Sequence, residues 1–212
     1  MNIDKNSLFL YAVTDRNCLK GKSLEEAVEE AILGGVTCVQ LREKNVSQED
    51  VIREGQKLFK ICRKYNVPLI INDDYEAALK CGADGVHVGI EDAPVAEIRR
   101  IAGEKFIIGA TAKTVEQAKL AESSGADYLG VGAVFPSPTK ANAIRITPQQ
   151  LSEICGCVNI PAVAIGGINA ENISEIKGCG HSGAAVVSAV FGADDVKAAA
   201  EKLCKAVRDT IK

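Results

Sequence analysis

A chain of 212 residues, 47% hydrophobic and 25% charged, has the composition of a soluble globular protein and enough material for one domain with a sizeable core. Its 25 Lys and Arg against 28 Asp and Glu give a formal net charge of −3, which argues against a nucleic-acid or polybasic membrane surface. No apolar run approaches the roughly 18 residues that span a bilayer, and the opening MNIDKN has no signal-peptide pattern, so a cytoplasmic enzyme or binding protein is expected.

The series opens on an apolar, β-rich run, Leu8–Val13, that ends in Thr14 and Asp15. Ser23 with Glu26 makes a capping-box pattern before Leu24, Ala27, Val28, Ala31 and Ile32 on one helical face, and Gly34-Gly35 stops that helix. Val36–Leu41 reads as the second strand, with Gln40, Arg42 and Lys44 alternating at its end. Leu69–Ile71 is the third and runs into Asn72-Asp73-Asp74, which leaves room for only a very short helix before Gly85–Val88. Phe106–Gly109 leads to Thr111. Thr114 with Gln117 repeats the helix-start pattern, and Gly125 closes it. Tyr128–Gly132 is followed by Phe135-Pro-Ser-Pro-Thr-Lys140, and Thr147-Pro148 with Gln150 starts a helix with proline at its first position. Ala162–Ile165 runs into Gly166-Gly167 and Ala184–Val187 into Ser188, and an amphipathic helix from Asp194 to about Ile211 ends the series.

Eight near-continuous apolar strands, each followed by a helical segment, predict a parallel sheet buried on both faces and closed into a (β/α)8, or TIM, barrel. Residues 1–212 read as a single α/β domain. The eight cysteines offer only Cys155-x-Cys157 as a close pair, and two histidines, His87 and His181, lack ligand spacing. They fit neither a disulfide framework nor zinc, and most cysteines read as small buried residues.

Such a barrel carries its chemistry at the C-terminal ends of the strands, where the unusual polar residues collect. Period-two geometry sends Gln40, Arg42 and Lys44 to one side, as an anion site or as an ordinary solvated strand end. Asp73 and Asp92 leave adjacent strands at similar heights. They either share Mg2+, whose other ligands are waters and phosphate oxygens, or serve as turn and helix-cap residues. Gly166-Gly167 and Gly183 to Ser188 are assigned to the usual phosphate corner after strands seven and eight, with plain turn glycines as the other reading. Gly130-x-Gly132 lacks the third glycine of a dinucleotide fingerprint. His87 reads as a hydrogen-bonded strand-end residue.

The ordered segments Tyr11-Ala-Val-Thr-Asp15, Gln40-Leu-Arg-Glu-Lys44, Ile71-Asn-Asp-Asp74, Gly82-Ala-Asp-Gly-Val-His87-Val-Gly89, Gly125-Ala-Asp-Tyr-Leu-Gly-Val-Gly132, Thr139-Lys140 and Ala164-Ile-Gly-Gly-Ile168 resemble the thiamine phosphate synthase family over nearly the whole chain. That resemblance implies a Mg2+-assisted transferase joining a hydroxymethylpyrimidine diphosphate to a thiazole phosphate through a pyrimidine-methyl cation. It implies that Gln40, Arg42, Lys44, Asn72, Thr111 and Lys140 hold the pyrimidine diphosphate, with Arg42, Lys44 and Lys140 catalytic. It gives Asp73 and Asp92 to Mg2+, and Ser137, Pro138, Thr139, Gly167, Val187 and Ser188 to the thiazole phosphate.

Three positions depart from the family pattern: Thr111 stands for Ser, Ile90 for Gln and Lys113 for His, and the loop Ala141–Gln150 is atypical. A thiazole tautomerase would use that His and lack the full metal pair. A non-catalytic phosphate-ligand binder would need the glycines alone. The partners are small molecules, with no nucleic acid and no membrane, and the sequence is compatible with a homo-oligomer.

Overall fold

Eight short strands close into one parallel barrel in chain order: β1 (Leu10–Val13), β2 (Cys38–Leu41), β3 (Leu69–Asn72), β4 (Gly85–Val88), β5 (Ile107–Ala112), β6 (Tyr128–Gly132), β7 (Ala162–Ile165) and β8 (Gly183–Val186). The computed structural model describes residues 3–136 and 144–211. Around the barrel run α1 (Leu24–Leu33), α2 (Gln48–Lys64), α3 (Tyr75–Cys81), α4 (Val95–Ala102), α5 (Val115–Ser123), α6 (Pro148–Gly156), α7 (Ser188–Phe191) and α8 (Val196–Thr210). No helix among the described residues is long and apolar enough to cross a membrane.

The near-continuous apolar strands are explained by two separate burial layers. Alternate residues Tyr11, Val13, Cys38, Ile70, Ile107, Tyr128, Val163 and Ala185 fill the barrel interior. Their neighbours Leu10, Ala12, Val39, Leu41, Ile71, Val86, Leu129 and Ala184 pack under the helices. Glycine makes room for two of the interior aromatic rings, Tyr128 and His87. A Cβ on Gly109 would lie 2.1 Å from Tyr128 Cζ, and one on Gly130 would lie 2.9 Å from His87 Cε1. Gly130 and Gly132 belong to β6 itself, not to a strand-to-helix turn.

Two of the three capping boxes read from the sequence form in full, at Ser23–Glu26 and Thr147–Gln150. At α5 only half of the motif forms: Thr114 accepts from Gln117 N–H, while the Gln117 side chain accepts from Lys113 N–H instead. β1 starts two residues later than Leu8, because Asp4 gathers Ser7 N–H and Leu8 N–H into a turn. β5 runs past Gly109 to Ala112, since Thr111 and Ala112 still pair with Gly130 and Val131. Behind β7 stands only a 3-10 turn, Ile173–Ile176, in place of a full helix.

Candidate active site

The inward positions of the strands, continued by twos, arrive as polar groups at one mouth. Cys38 leads to Gln40, Ile70 to Asn72, and Ile107 through Gly109 to Thr111. Parallel register sets Asn72 beside His87 and Gln40 beside Val13, so these side chains lie at comparable depth. Gln40 is buried, and its Nε2 donates to Tyr11 OH at 2.6 Å. His87 is buried too, bonded through Nδ1 to Tyr128 OH and through Nε2 to Thr111 Oγ1, both at 3.1 Å. Burial pushes its pKa down to about 4, so the ring is neutral.

Strand alternation delivers Gln40 but not the two cations. β2 stops at Leu41, so a loop places Arg42 and Lys44, which corrects the period-two argument. The fully buried Thr14 fixes that loop by accepting Arg42 N–H at 2.9 Å, and Asp15 Oδ2 lies 3.7 Å from the Arg42 guanidinium. Asn45 then turns the chain with φ +61°, and Lys44 Nζ donates to Asp73 Oδ2 at 2.7 Å.

Neither Asp73 nor Asp92 caps a helix. Asp74, the next residue, caps α3 by accepting Ala77 N–H, and the residue before α4 is Pro94. Asp73 instead sits in the left-handed region at φ +64°, held by its own N–H to His87 O at 2.8 Å. Asp92 Oδ2 accepts Gly89 N–H at 2.6 Å. The two carboxyl groups lie near enough for each to act on the other's proton affinity. Burial would raise the pKa of Asp73, but the Lys44 ammonium beside it wins and holds it below the ordinary range. Burial raises Asp92 as well, and there the Asp73 charge adds to the rise.

Two crowded carboxylates are an all-oxygen donor set of the kind hard cations take. Among the described residues no group of three or more His, Cys, Asp or Glu is placed to hold a metal ion. A cation between Asp73 and Asp92 would therefore draw its other ligands from water and substrate oxygens, and on this test the donor set fits Mg2+.

The glycine corner differs from the sequence reading. Gly183 opens β8 at the opposite end of the barrel from Ser188, so it cannot belong to the mouth. A Cβ there would lie 2.0 Å from Leu8 O. Gly166 and Gly167 do follow β7, with φ +101° and +63°. Their missing Cβ atoms admit Ala133 and Pro136 O, at 2.5 and 2.2 Å from the ideal positions, so close packing of the β6 loop accounts for both. β8 ends at Val186, one residue early, and Val187 leads into exposed Ser188 at the start of α7. Ser137, Pro138, Thr139 and Lys140 lie outside the described residues. Ile90 is 52% exposed, two residues before Asp92.

Sequence reasoning gave no role to Thr14, Tyr11 or Tyr128, which hold the mouth residues from below. A signal was present: tyrosine in an otherwise apolar, fully buried strand must find a partner for its hydroxyl.

Fold and mouth together define a (β/α)8 barrel with converging cations, amides and a carboxylate pair at the C-terminal ends of its strands. The family model described as thiamine monophosphate synthase matches residues 10–190. A thiamine-phosphate synthase of Clostridium tetani is 50% identical over 194 residues, covering 92% of this chain and 93% of that protein. One from Methanococcus vannielii is 44% identical, covering 98% of each. A solved thiamine phosphate pyrophosphorylase from Pyrococcus furiosus superimposes with a TM-score of 0.90 at 41% identity, covering 98% of this chain and 99% of that one. A 3-hexulose-6-phosphate synthase, 16% identical with a TM-score of 0.67, shares the fold alone. The chain belongs to the thiamine monophosphate synthase family, whose members are transferases.

Proposed function

We propose that this chain condenses 4-amino-2-methyl-5-hydroxymethylpyrimidine diphosphate with thiazole phosphate, giving thiamine phosphate and diphosphate. The observation that carries the reading is the Asp73–Asp92 carboxylate pair, tied to Lys44 at the barrel mouth of a chain with this family membership. Arg42 and Lys44 gather the diphosphate as fixed cations, and Lys140, which follows β6 in the sequence, is assigned to act with them. Bound Mg2+, held by Asp73 and Asp92, supplies neutralisation of the leaving diphosphate. The C–O bond breaks with its electron pair on the diphosphate, and the thiazole nitrogen lone pair then closes on the pyrimidine-methyl cation. No protein nucleophile is needed, so positioning and electrostatics by the mouth residues suffice. All eight cysteines are free thiols, which suits the cytoplasm.

The test is a turnover assay with both substrates and Mg2+, read by diphosphate release and thiamine phosphate formation. Product is expected only when both substrates are present. Conversion of thiazole phosphate alone to an isomer, or binding of either substrate without product, overturns the reading.

Gln40, Asn72 and Thr111 complete the pyrimidine side in this reading, and Ser137, Pro138, Thr139, Gly167, Val187 and Ser188 the thiazole phosphate side. Lys44→Ala is expected to weaken pyrimidine diphosphate about ten- to a hundredfold, the worth of a hydrogen bond to a charged group, and to spare thiazole phosphate. Ser188→Ala is expected to do the reverse, by a smaller factor. Calorimetric titrations of both ligands on both variants check the division, and equal losses all round contradict it.

A further inference from the structure

Five side chains from five strands make one unbroken line of hydrogen bonds through the barrel. Gln40 Nε2 meets Tyr11 OH at 2.6 Å, Tyr11 OH meets Tyr128 OH at 2.8 Å, and His87 joins Tyr128 OH to Thr111 Oγ1 at 3.1 Å on each side. Both tyrosines are at most 1% exposed, and His87 is 9% exposed. The two ends behave differently from the middle. Gln40 is 4% exposed, and its Oε1 makes no hydrogen bond to a described residue. Thr111 is half-buried at the end of its line.

Each inner link carries one proton. The two buried phenols meet only neutral groups and stay as O–H, and the buried His87 ring, whose two nitrogens meet only hydroxyls and no carboxylate, carries a single N–H. If Gln40 Nε2 donates to Tyr11, the Tyr11 hydroxyl must donate to Tyr128, and Tyr128 to His87 Nδ1. His87 Nε2–H then donates to Thr111, whose own O–H is left for the mouth. In the opposite sense Thr111 donates inward, every link reverses, and Gln40 must turn its amide so that Oε1 accepts from Tyr11. Any mixed arrangement leaves a buried donor or acceptor unpaired, at a cost of about 1–3 kcal/mol.

We propose that this buried line is a specificity device: it locks the donor–acceptor sense of the Gln40 amide to that of the Thr111 hydroxyl, so the mouth offers an acceptor at one end and a donor at the other, or the exact reverse, and never two of a kind. Tyr11, Tyr128 and His87 are then positioning residues. In the first sense the ligand that fits is an amino-substituted heteroaromatic ring, its amine donating to Gln40 Oε1 and a ring or ester acceptor taking the Thr111 hydroxyl. The proposal rests on the reading above that Gln40 and Thr111 face the pyrimidine substrate.

The coupling is testable without turnover by 15N NMR of the histidine rings, of which the chain has two. The unsubstituted protein is expected to show His87 as the Nε2–H tautomer. Gln40→Glu, whose carboxylate only accepts, is expected to flip His87 to Nδ1–H from three links away. In a Tyr128→Phe background, which cuts the line and leaves the ring, Gln40→Glu should no longer move His87. Tyr11→Phe, a second cut, should give mixed tautomers on its own. In steady state, Tyr128→Phe should reduce the preference in kcat/KM for the aminopyrimidine over its oxo analogue by about tenfold, with the KM for thiazole phosphate unchanged. Tyr11→Phe combined with Tyr128→Phe should cost no more than either alone, because a cut line cannot be cut again. A His87 ring that ignores Gln40→Glu, one that still responds after the cut, or a preference unaltered by both cuts overturns the proposal. Absence of condensation by the unsubstituted protein would overturn the functional reading alone, since the tautomer experiment needs no catalysis.

Discussion

Asp73→Asn and Asp92→Asn are each expected to lower turnover by about a hundred- to a thousandfold while the barrel stays folded, the usual worth of a group that stabilises charge as it develops. Both substitutions preserve shape and remove charge. Asparagine tolerates the left-handed backbone that Asp73 occupies at φ +64°, and its amide oxygen can still accept from Lys44. At position 92 an amide oxygen can still take Gly89 N–H. What disappears is one of two negative charges that crowd each other in the free protein. The signs for stability differ between the two sites. Relief of the repulsion should leave Tm level or slightly raised in Asp92→Asn at neutral pH, loss of the Lys44 ion pair should lower it slightly in Asp73→Asn, and in both variants the Mg2+ concentration for half-maximal activity rises. Turnover measured across a Mg2+ series, with Tm alongside, checks both. Full activity in either variant, or undiminished activity of the unsubstituted protein in EDTA, sinks the assignment.

The barrel was legible because its strands are apolar on both faces and its helices carry their caps in the sequence. The positions that went astray needed register or backbone angles, which a sequence does not display. Gly183 was read as part of the mouth although it precedes the eighth strand; its parallel pairing with Val163 near the start of β7, and Leu8 O 2.0 Å from a Cβ there, put it at the bottom. Gln40, Asn72 and Thr111 reach the mouth by alternation, which a sequence does show. Lys44 reaches it by a loop that Thr14 and Asn45 shape, so the sequence argument placed it correctly for a reason that does not hold. Asp73 and Asp74 are adjacent and chemically identical. What divides them is that one adopts φ +64° and the other caps α3. Tyr11 and Tyr128 stand 117 residues apart, and nothing short of barrel closure announces that their hydroxyls meet.

Closure itself depends on a repeated device at the other end, and removing it should have the largest effect on stability. The sequence carries Gly-Ala-Asp three times, and two of these, Gly82 to Asp84 and Gly125 to Asp127, lead into strands β4 and β6. Each carboxylate accepts the N–H of a residue on the preceding strand, Leu69 for Asp84 and Ile108 for Asp127, and each is gripped by an arginine, Arg63 or Arg99. Arg99 does more. Its guanidinium also donates to Gly103 O and Phe106 O, both at 2.7 Å, and twice to Gly125 O at 2.8 and 3.1 Å, with only 13% of the side chain exposed. One side chain thus ties α4, β5 and the turn into β6. Arg99→Met keeps the length and apolar stem but leaves three carbonyls without that donor and the Asp127 charge without its partner. With the Asp127 side chain 35% exposed, the loss comes mainly from the carbonyls left without a donor and amounts to about 2–4 kcal/mol, which for a chain of this size lowers Tm by about 4–16 °C. Arg100→Met, one residue on, removes an exposed charge and should stay within about 0.5 kcal/mol of the unsubstituted protein. Urea unfolding of the two variants makes the comparison, with an unchanged m-value expected. Catalysis well below the lowered Tm should survive in Arg99→Met, because the mouth lies at the far end of the strands. If Arg99→Met unfolds no earlier than Arg100→Met, the arginine does not hold the bottom of the barrel together.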